Sequence, residues 1–212
     1  MYLFTRQATL GGNPRAAMGW AAEMTAYVSA RSNGHPVLLW SVGFGRPVGT
    51  VVWTTWVESH ADLQAAFAGL LEDDGYYDLI DKGQAFNAGA NMADSFNEAI
   101  HGGPTGATPP IGSVAVVSRA VMNVGKAAEA MAFGVDIASY VESVTGSPTA
   151  FLASSYGTFG EVMWISGAPD MAANDAAAAA INGDAGWLER IGRSNDLFLS
   201  GSGHRSLATR IA

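Results

Sequence analysis

Two arginines interrupt apolar, β-rich runs: Arg6 in Leu-Phe-Thr-Arg-Gln-Ala and Arg119 in Val-Val-Ser-Arg-Ala-Val. Alternate residues of a strand share a face, so Arg6 goes with Phe4 and Ala8, and Arg119 with Val117 and Val121. A guanidinium on such a face requires an anion, because an unpaired buried charge costs several kcal/mol. A carboxylate or enolate ligand in a cavity would supply it; otherwise each arginine pairs with a carboxylate of its own chain or reaches the rim. Trp53 and Trp164, with Trp40 and Trp56 nearby, are equally two-sided, forming either the walls of an aromatic pocket or ordinary core. Arg6, Arg119, Trp53 and Trp164 are the candidate ligand-binding residues, and no spacing singles out a catalytic group.

Most other chemistries are excluded. Without cysteine there is no thiolate nucleophile, disulfide framework or Cys-ligated metal. His35, His60, His101 and His204 form no i, i+4 pair, so no metal site is expected, and no cofactor. The acidic cluster Glu72-Asp73-Asp74 with Asp78 and Asp81 lacks the alternating ligands of a calcium loop and reads as a solvated helix end. Gly43-Phe-Gly-Arg-Pro-Val-Gly49 joins two predicted strands and opens no helix, unlike a phosphate loop. Ser200-Gly-Ser-Gly-His204, between a predicted strand and a predicted helix, has better anion geometry but is one short turn. Eleven basic against 19 acidic residues give a net charge of −8, with Lys82 and Lys126 the only lysines, so no nucleic-acid partner is expected. No run approaches the roughly 18 apolar residues of a membrane helix, and the first residues carry no apolar core of a signal peptide. The expectation is a soluble, cytoplasmic protein with no membrane partner.

An internal repeat positions these residues. Arg6 falls on Arg119, Met18 on Met131, Trp20 on Phe133 and Tyr27-Val28 on Tyr140-Val141 at one offset, 113. The offset is 112 at Gly34/Gly146 and Pro36/Pro148, and 111 at Gly49/Gly160, Trp53/Trp164 and Asp73/Asp184. A tandem duplication follows, with repeats at 1–101 and 113–212 and a Gly/Pro/Thr linker at 102–112. Each repeat reads as a strand (2–9, 114–122), a helix with Trp20, Met24, Tyr27 or Phe133, Ile137, Tyr140 on one stripe, and a hairpin (37–44 with 50–57; 150–156 with 161–166). Asn13 with Pro14 is a strong helix start, and Ser59 caps a second helix carrying Leu63, Phe67 and Leu70, matched by the alanine-rich 170–182. Short pieces at 75–82 and 186–193 lead to fourth strands at 85–90 and 196–200, and helical tails close each copy at 93–101 and 205–211.

The order β-α-β-β-α-β is the ferredoxin-like unit. Strands such as Val51-Val-Trp53-Thr-Thr-Trp56-Val57 are apolar on both faces, so the face away from the helices must also be covered. The fold class is therefore α+β: two tandem ferredoxin-like repeats, their sheets face to face in an eight-stranded barrel, closed within one chain or between two. Open sheet edges would also allow a homodimer.

The segment Gly49-Thr-Val-Val-Trp53-Thr-Thr-Trp56, then Ser59, the Leu63/Phe67/Leu70 helix and Asp73-Asp-Gly-Tyr76, resembles NIPSNAP-like proteins of the dimeric α+β barrel superfamily. Gly160-Glu-Val-Met-Trp164 and Asp184-Ala-Gly-Trp187 repeat it more thinly. The resemblance spans nearly the whole chain, through apolar and structural positions that speak for fold more than chemistry. It implies a relative of cofactor-free monooxygenases, small isomerases, haem proteins and plain ligand binders. The monooxygenases use an Asn and a Trp close together on a barrel strand; here Val52 precedes Trp53 and Met163 precedes Trp164. The functional expectation is a small aromatic or carboxylate ligand bound or transformed in the barrel interior. The alternatives are a structural or assembly protein with a solid core and a haem-associated protein, with His204 as one potential ligand.

Overall fold

Local capping signals start the helices of both halves. The Asn13 side chain accepts from the Ala16 amide and Pro14 opens α1 (Pro14–Ser29); Ser59 accepts from Asp62 at the start of α2 (His60–Phe67). After a 3-10 turn (Ala68–Glu72), Asp73 caps α3 (Asp74–Gln84). In the second half α4 (Ala127–Thr145) ends on left-handed Gly146, Asp170 caps α5 (Met171–Asn182), and Asp184 caps α6 (Ala185–Gly192). The strands are β1 (Tyr2–Thr9), β2 (Leu38–Phe44), β3 (Thr50–Val57) and β4 (Ala93–His101), then β5 (Val114–Val121), β6 (Thr149–Tyr156), β7 (Glu161–Ala168) and β8 (His204–Arg210). This computed structural model describes residues 1–87, 92–104, 106–194 and 196–212.

The eight strands form one closed barrel in the order β1-β3-β2-β8-β5-β7-β6-β4. Every neighbouring pair is antiparallel. Each half contributes a four-stranded sheet, and two seams join them: Trp40 opposite Arg210 and Val42 opposite Ala208 between β2 and β8, Asn97 opposite Ser154 between β4 and β6. Closure is thus within one chain and leaves the barrel no open edge. Because β2 and β6 run in the same direction around this alternating barrel, the β2–β3 and β6–β7 hairpins emerge at the same end. Phe44 and Val48 on one, Tyr156 and Phe159 on the other, are exposed there.

The fourth strands correct the sequence reading. Strands expected at 85–90 and 196–200 are absent among the described residues: 85–87 and 196–200 are turns with one bridge, Met122 to Phe198, and 88–90 lie outside the described residues. The segments expected to be helical tails are β4 and β8. Their periodicity is weak, and each is made a strand by two neighbours: β1 and β6 for β4, β2 and β5 for β8. Ser200 to His204 therefore precedes a strand, and no helix N-terminus stands over it.

The helices coat the outside of the barrel. Trp20, Ala17 and Ala21 of α1 pack on Ala8, Leu39, Val51 and Trp53; Ala138 of α4 packs on Phe151 and Val162. The opposite alternation points into the lumen, where Leu3, Leu152 and Met163 from three strands form a separate cluster.

Candidate functional site

Cross-strand register decides which candidate residues share a space. Trp53 stands opposite Arg6, whereas Trp164 stands opposite Ser118, and Arg119 faces Met163. The position equivalent to Arg6 is thus Ser118, and the offset of 113 is one residue too long in this strand. A slip of one residue reverses the face. Arg6 lies on the helix side, with Nε and Nη2 donating to the Asp94 carboxylate at 2.8 and 2.7 Å. Both partners of this ion pair are well exposed. Trp53 and Trp164 also face the helices: the Trp53 indole donates to Thr25 Oγ1 at 2.8 Å, and that of Trp164 to the Gly134 carbonyl at 2.9 Å. Of the four candidates, only Arg119 enters the lumen.

The side chains that face the lumen differ in burial. Leu3, Leu152, Met163 and Asn97 are at most 3% exposed. Trp40, Val52, Thr54, Trp56, Val117 and Ile165 also point inward, yet keep part of their surface exposed. The Trp40 indole donates to Thr54 Oγ1 at 3.0 Å, and Trp56 shares a row with Leu3 and Asn97.

Buried polar groups also lie on the lumen side of the strands. Asn97 is completely buried; its amide nitrogen donates to the Leu3 carbonyl at 3.3 Å and to Ser95 Oγ at 3.1 Å, and Oδ1 has no partner. Across the seam, Ser154 Oγ is buried and also unpartnered. Thr5 and Ser95 hydroxyls bond each other at 2.7 Å. Arg119 Nη1 donates to Glu161 at 3.1 Å, while its buried Nε has no partner. Arg46, in the β2–β3 turn, is partly buried, and burial first, then the like charge of Arg119, lowers its guanidinium below the ordinary value, with Glu161 opposing.

With this geometry in place, the barrel can be compared with solved structures. Across the whole of this chain and 92% of theirs, it superposes on a provisionally assigned monooxygenase from Fusobacterium nucleatum (TM-score 0.74, 9% identity) and on an anthrone oxidase-like protein (0.66, 16%). It also superposes on a haem-degrading enzyme from Listeria monocytogenes (0.54, 8%) over 99% of both chains. The fold is the dimeric α+β barrel. At these identities the likeness extends to fold alone. No family model matches the chain, and no curated protein matches it in sequence.

Sequence reasoning missed Asn97, Ser154 and Arg46, and it named Trp56 only as a neighbour of Trp53. Asn97 lies in a segment read as a helical tail, and its seam partner Ser154 is 57 residues away, so no local pattern joins them. Trp56 carried a usable signal: it is three residues from Trp53, hence on the opposite face of the same strand. His35, His60 and His101 are engaged with Asp62, with an aromatic group of Tyr2, Phe96 and Tyr156, and with Ser139 of α4 respectively. His204 stands opposite Arg119 at the mouth and faces the lumen.

Proposed function

We propose that this chain binds a small hydroxylated aromatic metabolite in the lumen between its two sheets. On the same reading it transforms that metabolite without a cofactor, in a monooxygenase- or isomerase-like reaction. The carrying observation is the row that joins the partly exposed, lumen-facing Trp56 to the buried, unpartnered Asn97 Oδ1, with the unpartnered Ser154 Oγ across the seam. An unsatisfied buried polar group costs about 1–3 kcal/mol, so a solid structural core would gain by dispensing with both. A ligand hydroxyl that donates to Asn97 Oδ1 and accepts from Ser154 Oγ would satisfy both while its ring covers Trp56. The anthrone oxidase-like description of one fold neighbour agrees with an aromatic substrate. Kinship with NIPSNAP-like proteins, the origin of the halves by duplication, a cytoplasmic location and a homodimer belong to the same reading. Arg119 is retained as a ligand contact, while Arg6, Trp53 and Trp164 support the wall.

Replacing Ser154 by Ala and Asn97 by Leu separates ligand binding from stability. Both variants are expected to lose the quenching of tryptophan fluorescence by 1-naphthol that the unaltered protein shows, and Ser154→Ala to keep or raise the melting temperature. No quenching by 1-naphthol in the unaltered protein, with Ser154→Ala several degrees less stable, would mean a solid core.

A further inference from the structure

The lumen mouth carries more positive than negative charge. Arg119 is two residues from the end of β5 and Ser154 two from the end of β6, strands that run in the same direction, so both lie toward the hairpin end. There the turn holding Arg46 is pressed onto β8: Gly45 (φ 81°) lies directly against the backbone of Arg205 and Ser206, next to His204, which stands opposite Arg119. Against the two guanidinium groups there is one lumen carboxylate, Glu161, and it bonds only Arg119 Nη1. Arg46 makes no ion pair among the described residues. Arg119, with a side chain 19% exposed, keeps its buried Nε without an acceptor. A guanidinium offers five donors in a planar fork suited to a carboxylate, and here a donor of that fork is desolvated in advance.

We propose that Arg119 and Arg46 form an anion subsite at the mouth of the lumen that takes a carboxylate on the aromatic ligand, so that the substrate class is hydroxylated aromatic acids. The inference rests on the lumen reading above. The ring extends inward toward Trp56, the hydroxyl meets Asn97 and Ser154, and the carboxylate stays at the mouth between the arginines. Glu161 holds Arg119 in place and neutralises one of the two charges, leaving the other for the ligand.

Two probes that differ by one group test it: 1-naphthol and 1-hydroxy-2-naphthoate, each titrated against tryptophan fluorescence. The unaltered protein is expected to bind the carboxylate at least about tenfold more tightly, the size of one charge-assisted contact. Arg46→Met should collapse that ratio toward one. Because Arg119→Met alone strands Glu161, the double variant Arg119→Met/Glu161→Gln is used, and it too should lose the ratio. Arg15→Met, on the exposed start of α1, should keep it. Binding of 1-naphthol with no gain from the carboxylate, or a gain that survives both arginine variants, overturns the anion subsite and leaves the lumen reading standing. Binding of neither probe overturns both.

Discussion

At the scale of single residues, the strongest repeated device is a tyrosine–aspartate clamp outside the lumen. Tyr27 donates to Asp73 at 2.6 Å and Tyr140 donates to Asp184; each aspartate also caps a helix, and an arginine covers each ring, Arg31 at 3.5 Å and Arg190 at 3.7 Å. The tyrosine hydroxyl, before any other partner, holds both carboxyls below their ordinary range, and the same bond raises both phenols. A lowered carboxyl contributes stability that is complete above its unfolded value and lost as pH falls through the folded one. A raised phenol contributes stability that is complete below about pH 10 and lost as pH rises further. The difference in melting temperature between the unaltered protein and Tyr27→Phe should therefore be constant from about pH 5 to 9 and shrink on either side. A difference still constant at pH 3 would mean that the carboxyl takes no part. Gly75 and Gly186 follow from the same clamp, since a Cβ at either would strike the tyrosine hydroxyl.

At the scale of elements, the face of the helix on which a glycine lies decides what a side chain there would cost. Gly134 of α4 sits against the ring of the fully buried Phe151, and a Cβ there would overlap it. Gly19 of α1 is exposed, with nothing within 4 Å of an added Cβ. Gly134→Ala is expected to destabilise by about 1–3 kcal/mol through overpacking. Gly19→Ala should stabilise by about 0.5–1 kcal/mol, the helix preference of alanine acting alone. Urea denaturation of the two variants measures both, and equal effects would mean that α4 stands off the sheet. Under α5, Ala177 and Ala178 border a pocket of about 50 Å³.

At the scale of the whole molecule, barrel closure couples the two halves: β2 pairs with β8 and β4 with β6. Unfolding is expected to be a single transition, with Trp53 and Trp164, each isolated by replacing the other tryptophans with Phe, reporting the same urea midpoint. Separate midpoints would mean that each half folds alone. The lumen belongs to this scale too, because Asn97 and Ser154 meet only where β4 and β6 join. The sequence by itself determined the helix caps at Asn13 and Ser59, the β-α-β-β-α order of each half and the need to cover a second apolar sheet face. These follow from spacings of a few residues and from composition. Only the tertiary structure decided that 93–101 and 204–210 are strands, that Arg6 and Arg119 stand on opposite faces, and that Trp56 rather than Trp53 looks into the lumen. The physical reason is that strand pairing joins residues far apart in the chain, while a one-residue change of register exchanges inside for outside.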